Sequence, residues 1–271
     1  MNDLLAASLL GIIEGITEFL PISSTGHLLI AEHWLGARSD LFNIAIQAGA
    51  ILAVVLIYRH RLWQLLVGLG EAETRDYALK LAASFAVTAV LGLVAKRLGL
   101  ALPATLGPIA WALLIGGVLM LVAEQVAARR DAGRVGFTQQ PQISWPVAVL
   151  VGVAQVVAGA FPGTSRSAAA IFVALLFGAG NRIAATEFAF LVGIPTMFAA
   201  TAYELLQELE RGSAATENWT AMAVAFVAAT LTAFVAVKWL LVYIQSHRFT
   251  VFSVYRIALG AALLLLLPTG A

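Results

Sequence analysis

Long apolar runs separated by short polar stretches organise this chain throughout. In the first half an apolar run ends at Phe19, a break covers Pro21 to Gly26, and a shorter run reaches about Leu35. Longer runs follow near Phe42 to Tyr58, Ala78 to Ala95 and Leu106 to Ala128. The second half repeats the plan: short runs from Trp145 to Phe161 and Ala168 to Phe177 flank a break at Pro162. Runs near Ile183 to Tyr203, Trp219 to Ile244 and Phe249 to Leu267 complete it. A helix of about 17–25 apolar residues spans a ~30 Å hydrocarbon layer, so the pattern predicts an all-α integral membrane protein with six full spans. Each pair of short runs is expected to form a re-entrant helical hairpin. Proline removes a backbone donor and restricts the residue before it, and backbone freed at membrane depth survives only against protein or a watery cavity.

The two halves align with an offset of 141 residues, which superposes Gly11 on Gly152, Glu14 on Gln155, Pro21 on Pro162 and Ser24 on Ser165. One membrane domain of two tandem copies is the expectation, the first over roughly residues 1–135 and the second over roughly 140–271. A hairpin plus three spans crosses the membrane an odd number of times, so the second copy starts on the opposite side and the repeats are inverted. Their hairpins then meet near the midplane.

Composition supports the choice of solvent: 61% of the 271 residues are apolar and 11% charged, against about 25% charged in soluble domains. A net charge of +1 without a long basic run argues against nucleic acid as a partner. The absence of cysteine excludes disulfides and thiolate metal sites. The first apolar run lacks the basic flank of a secretory signal peptide and is expected to remain in the mature protein. Lys and Arg mark cytoplasmic loops, which puts Arg59, Arg61, Arg75 and Lys80 inside together with Arg129, Arg130 and Arg134. The acidic stretch from Glu204 to Asn218 and both termini then lie outside; Lys96 and Arg97 are the exceptions.

Candidate chemistry gathers at the breaks. In EGITEFLPISSTGH, Glu14 and Glu18 stand four apart and share a helix face. Ionisable groups at membrane depth are by default functional, and paired carboxylates supply the hard oxygen ligands a divalent cation needs. Ser23, Ser24 and Thr25 open the next apolar run as a helix N-terminus would, where free N–H groups bind anions. At least one of those hydroxyls is expected simply to cap the helix. Ser24 and His27, three apart, can share a face as nucleophile and base, or His27 can act alone as general acid or base. The second break, FPGTSRS, offers Gly163, Thr164, Ser165, Arg166 and Ser167 as a phosphate clamp, with arginine supplying a planar fork of donors. Arg166 can equally serve as a buried partner for Glu14, Glu18 or Glu187. Gln47 and Glu187 are candidate hydrogen-bonding supports for the site. Lys238 and Arg256 are expected to extend toward the membrane surface.

EGITEFLPISSTGH and PGTSRS resemble the two signature stretches of the bacterial undecaprenyl diphosphatase, or bacitracin-resistance, family. The likeness extends to FNIAIQAGAILAVV, EFAFLVGIP and chain length. It implies a hydrolase of the bacterial cytoplasmic membrane that releases orthophosphate from undecaprenyl diphosphate with Mg²⁺ or Ca²⁺ and recycles the lipid carrier of peptidoglycan synthesis. By motif, Glu14, Glu18, Ser24, His27, Ser165 and Arg166 carry the activity, with Glu14 and Glu18 holding the metal. Ala170 stands where the family motif has threonine, and Asn43 where an acid is expected. The site is expected to open on the extracytoplasmic side, and a homodimer is compatible with this reading. The alternative is an inverted-repeat secondary transporter or lipid flippase, whose carboxylates would bind coupling ions.

Overall fold

A computed structural model describes residues 2–100, 102, 105–132, 143–178, 181–212 and 217–266. Ten helices make up this part of the chain: α1 (Asp3–Thr17), α2 (Ser24–Leu35), α3 (Asp40–Val67), α4 (Ala72–Arg97), α5 (Leu106–Ala132), α6 (Trp145–Ala160), α7 (Arg166–Phe177), α8 (Arg182–Glu210), α9 (Trp219–Ser246) and α10 (Thr250–Leu266). No strand occurs among the described residues. Four helices begin where a side chain satisfies a free N–H group: Asn2, Ser39, Asn181 and Asn218 each accept a bond from the first turn of α1, α3, α8 and α9. Five helices, α3, α4, α5, α8 and α9, are long and apolar enough to cross a membrane. The last expected span is represented by the 17 residues of α10; Leu267, where that span was expected to end, lies outside the described residues, as does Arg134.

Packing links the halves reciprocally. Helix α1 of the first hairpin lies along α9, and α6 of the second lies along α4, while α5 packs on α10 and α3 on α8. Small residues permit backbone contact, as expected where helices associate by van der Waals packing in lipid. A Cβ on Gly11 would lie 2.2 Å from the Ala225 carbonyl oxygen, and one on Gly152 would lie 2.6 Å from that of Ser84. These two glycines are the ones the repeat alignment superposes. An Asp3–Arg38 ion pair of 2.6 Å and a 2.8 Å bond from Asn218 to Asp3 tie the start of α1 to its neighbours.

Both breaks use one backbone device. Ser23 (φ 76°, ψ 100°) and Ser165 (φ 66°, ψ 111°) precede α2 and α7, and they are the non-glycine residues with positive φ among those described. Ser165 is therefore equivalent to Ser23, not to Ser24 as the 141-residue offset predicts. Beyond the prolines the second break contains one more residue, and Ser24 matches Arg166 at the first helical position.

Candidate active site

Helix α1 ends at the carboxylates. Glu14 is 2% exposed and Glu18, which caps the helix, is 8% exposed; the two carboxylates lie side by side. One oxygen of Glu14, Oε2, has no hydrogen-bond partner. Across the break, the Ser24 hydroxyl donates to Glu18 Oε2. That contact corrects the expected Ser24–His27 pair. His27 instead faces Tyr255 of α10, its Nε2 2.7 Å from the phenol oxygen and the two rings stacked at 5.6 Å. The other nitrogen, Nδ1, lies 2.7 Å from the carbonyl oxygen of Ser23. An N–H at Nδ1 donates to that carbonyl and leaves Nε2 to accept from Tyr255. His27 thus braces the peptide that carries the strained Ser23. The Ser23 side chain is buried and makes no cap bond, whereas Thr25 is exposed toward the cavity.

The second break uses most of its predicted clamp on structure. Ser165 caps α7 by accepting from the Ala168 N–H at 3.3 Å and lies 3.1 Å from the Ser167 hydroxyl. Ser167 donates across to the Leu20 carbonyl of the first hairpin at 3.2 Å. Gly163 has φ 91°, and a Cβ there would lie 2.9 Å from Ile109 backbone atoms, so this glycine admits α5 to the break. Arg166 differs from its neighbours: half-buried, it makes no hydrogen bond or salt bridge with any described residue. It lies near enough to act electrostatically on Glu14 and Glu204. The five donors of its guanidinium remain available.

Arg256 joins the two breaks. Expected at the membrane surface, it is 0% exposed. Its guanidinium donates to the Thr164 and Gly163 carbonyls at 3.0 Å, to Ala112 at 3.0 Å, to Pro21 at 3.4 Å and to Leu113 at 3.5 Å. Carbonyls at both breaks are thus satisfied by one side chain, as broken helices in lipid require. The signal for it was available: an arginine well inside an apolar span is costly and by default has a task. Lys238 does stay exposed, its ammonium 4.6 Å from the Phe234 ring centre.

A cavity of about 470 Å³ adjoins the first break, with Glu14, Ser24, Thr25, Gln47 and Lys96 in its wall. Gln47, a predicted support, accepts there from Thr201 at 3.4 Å. Asn43 donates to Glu32 at 3.1 Å; the acid expected at this position would instead repel Glu32. Lys96, the exception to the charge rule, lies 4.1 Å from the Tyr203 ring centre and bonds to Gln207 at 3.4 Å, so it belongs to this wall. A second cavity, of about 650 Å³, opens at the other end of α3, α4 and α8. Glu187 faces it and accepts from Arg61 at 3.0 Å, so this glutamate supports neither Arg166 nor the carboxylates.

Comparison with known proteins finds relatives over nearly the whole chain. A relative from Rhizobium etli, an undecaprenyl-diphosphatase, is 64% identical over 268 residues, covering 99% of this chain and 98% of the relative. The undecaprenyl-diphosphatases of Xanthomonas oryzae pv. oryzae and Xanthomonas axonopodis pv. citri are 63% and 62% identical over the full length of both chains. The model of the bacitracin resistance protein BacA matches residues 7–262. Broken helices, paired acids and an unengaged arginine thus occur in a chain that belongs to the BacA bacitracin-resistance family.

Proposed function

We propose that this chain hydrolyses undecaprenyl diphosphate to undecaprenyl phosphate and orthophosphate, recycling the lipid carrier of peptidoglycan synthesis and conferring bacitracin resistance. The observation that carries the reading is the meeting of two broken helices at which one contributes a carboxylate pair and the other an arginine with all its donors free. Near-full-length relatives that are undecaprenyl-diphosphatases support it. A diphosphate headgroup needs donors and a cation, while its polyprenyl tail needs lipid, and a site inside a membrane bundle meets both needs.

Glu14 and Glu18 would hold Mg²⁺ or Ca²⁺; two adjoining buried carboxylates, one with an unpartnered oxygen, suit a hard divalent ion. When bound, such an ion offsets the charge of the diphosphate. Arg166 grips the terminal phosphate through its fork. Ser24 attacks the terminal phosphorus and passes its proton to Glu18, whose carboxylate already accepts its hydroxyl. The bridging P–O bond breaks and the prenyl phosphate leaves with the electron pair. Water then attacks the phosphoserine, the P–Oγ bond breaks, Oγ recovers its proton from Glu18, and orthophosphate departs. His27 acts through the backbone it braces. The test is phosphate release from a C55 diphosphate by purified protein in detergent. Chelator-sensitive release without any gradient is expected; none would leave the transporter reading in its place.

The proposed topology has two inverted repeats and six spans in the bacterial cytoplasmic membrane, with both termini outside. Reciprocal packing of α1 on α9 and α6 on α4 supports it. In this orientation the Glu14 cavity opens outward, because Glu204 and Gln207 near the acidic end of α8 also line it. The loop positions that best separate the sides by sequence, Gln139 and Ser213, lie outside the described residues, so Glu71 and Glu210 serve. Since the chain has no native cysteine, Glu210→Cys should react with an impermeant thiol reagent in whole cells and Glu71→Cys should not. Reversed labelling would invert the orientation.

A further inference from the structure

Between the two hairpins lies a small space of about 20 Å³, lined by Glu18, Gln155, Arg166 and Ser167 among polar residues and by Ala170 and Phe190 among apolar ones. A space holds one water-sized occupant above roughly 10–15 Å³, so this one has room for a single atom or ion. Gln155 is 3% exposed, and neither its amide oxygen nor its amide nitrogen has a hydrogen-bond partner. Buried polar groups are nearly always paired, and leaving both ends of an amide unpaired is costly. A glutamine used as a strut would be bonded to what it supports, as Gln47 is to Thr201. Gln155 is bonded to nothing and lines this space beside a carboxylate and a free guanidinium.

We infer that Gln155 is a direct ligand of the divalent cation, its carbonyl oxygen binding the ion beside Glu18 in this space. The inference rests on the diphosphatase reading and deepens it. Hard divalent cations take six or more oxygens and accept amide carbonyls among them. Among the described residues no group of three His, Cys, Asp or Glu side chains could complete a cation site, and the Ser167 hydroxyl beside the space is committed to Leu20. The Gln155 amide is the side-chain oxygen left over. Its place in the repeat is that of Glu14. The second copy of the glutamate thus stays in the site as a neutral ligand, which keeps an oxygen for the cation without a third negative charge facing the diphosphate.

Thermal unfolding of the purified protein in detergent, titrated with Mg²⁺ or Ca²⁺ alone, tests this without reference to turnover. The wild-type midpoint should rise with cation. Q155M should need about tenfold more cation or greater for the same rise, while its cation-free midpoint is equal to or above wild type because an unpartnered amide has been removed. Q155E carries the same test with the opposite sign, responding at lower cation concentrations than wild type. An unchanged cation response in either variant overturns the assignment of Gln155 alone, and a lowered cation-free midpoint with a normal response identifies it as a strut. No cation response in the wild type overturns the cation site itself, and this inference with it.

Discussion

The two hairpins share a backbone conformation and differ in the side chains they present. Each turns through a serine at positive φ immediately before its second helix, a conformation that costs on the order of 1–3 kcal/mol for a residue with a Cβ and persists where surrounding structure enforces it. Their side chains have diverged. The first hairpin leaves its polar groups to one another: Ser24 on Glu18, and Glu18 beside Glu14. The second engages Ser165 and Ser167 in caps and cross-links and keeps Gln155 and Arg166 unengaged. A duplicated broken helix offers two N-termini suited to anions. In the proposed function the first copy supplies the carboxylate pair and the second supplies Arg166 and the Gln155 amide, so neither copy suffices alone.

Removing the charge from either side should have the largest effect. Glu14→Gln in the first hairpin and Arg166→Lys in the second should each lower phosphate release on the order of 10³-fold or more, with unfolding midpoints near wild type, because shape is kept while ligand charge or bidentate geometry is lost. Near-normal turnover in either variant would remove that residue from the assigned site. Ser24→Ala should reduce kcat on the order of 10³-fold with KM little changed. Turnover within about tenfold of normal would make water the nucleophile. His27→Ala should then be the discriminating companion: acting through the Ser23 peptide, it should cost about tenfold, and a dead His27 variant beside an active Ser24 variant would make the imidazole the acid or base.

Arg256→Met addresses what the hairpins have in common. It should destabilise the protein by on the order of 3 kcal/mol, since several buried carbonyls lose their donor at once. A midpoint equal to wild type would show that the breaks do not need the tie. The smallest effect distinguishes the two strained serines. Ser23→Gly should raise stability by about 1 kcal/mol because strain is relieved and no cap is lost. Ser165→Gly should come out near neutral, the relief being offset by the lost bond to Ala168. Equal shifts in thermal unfolding would mean that the caps do not distinguish the breaks.

Much of this was legible in advance because apolar length and proline placement are coarse signals. The breaks at Pro21 and Pro162 separated helices close to the observed ends, and Gly11 and Gly152 carried the repeat because both sit at backbone-to-backbone contacts. The register beyond the prolines was not legible: serines stand at 23, 24 and 165, and only backbone angles reveal that Ser23 pairs with Ser165. Spacing placed Ser24 and His27 on one helix but could not show that α10 would bring Tyr255 to the imidazole. Glu187 was misread because depth in a span does not say which end of the bundle a side chain faces. Arg256 was misread because its partners are carbonyls, which carry no residue identity for a sequence to display.

The bonds made by Arg256 also order the assembly of the protein in time. Translation delivers the N-terminus first, so the acids of α1 and the arginine of α7 enter the membrane while the guanidinium that ties Pro21 to Gly163 has yet to be synthesised. Until α10 inserts, the carbonyls at both breaks lack that donor and must find others, from water or from the translocation machinery. The nascent chain is therefore kept from a finished site by its own order of synthesis, and the step that completes the site is the arrival of α10.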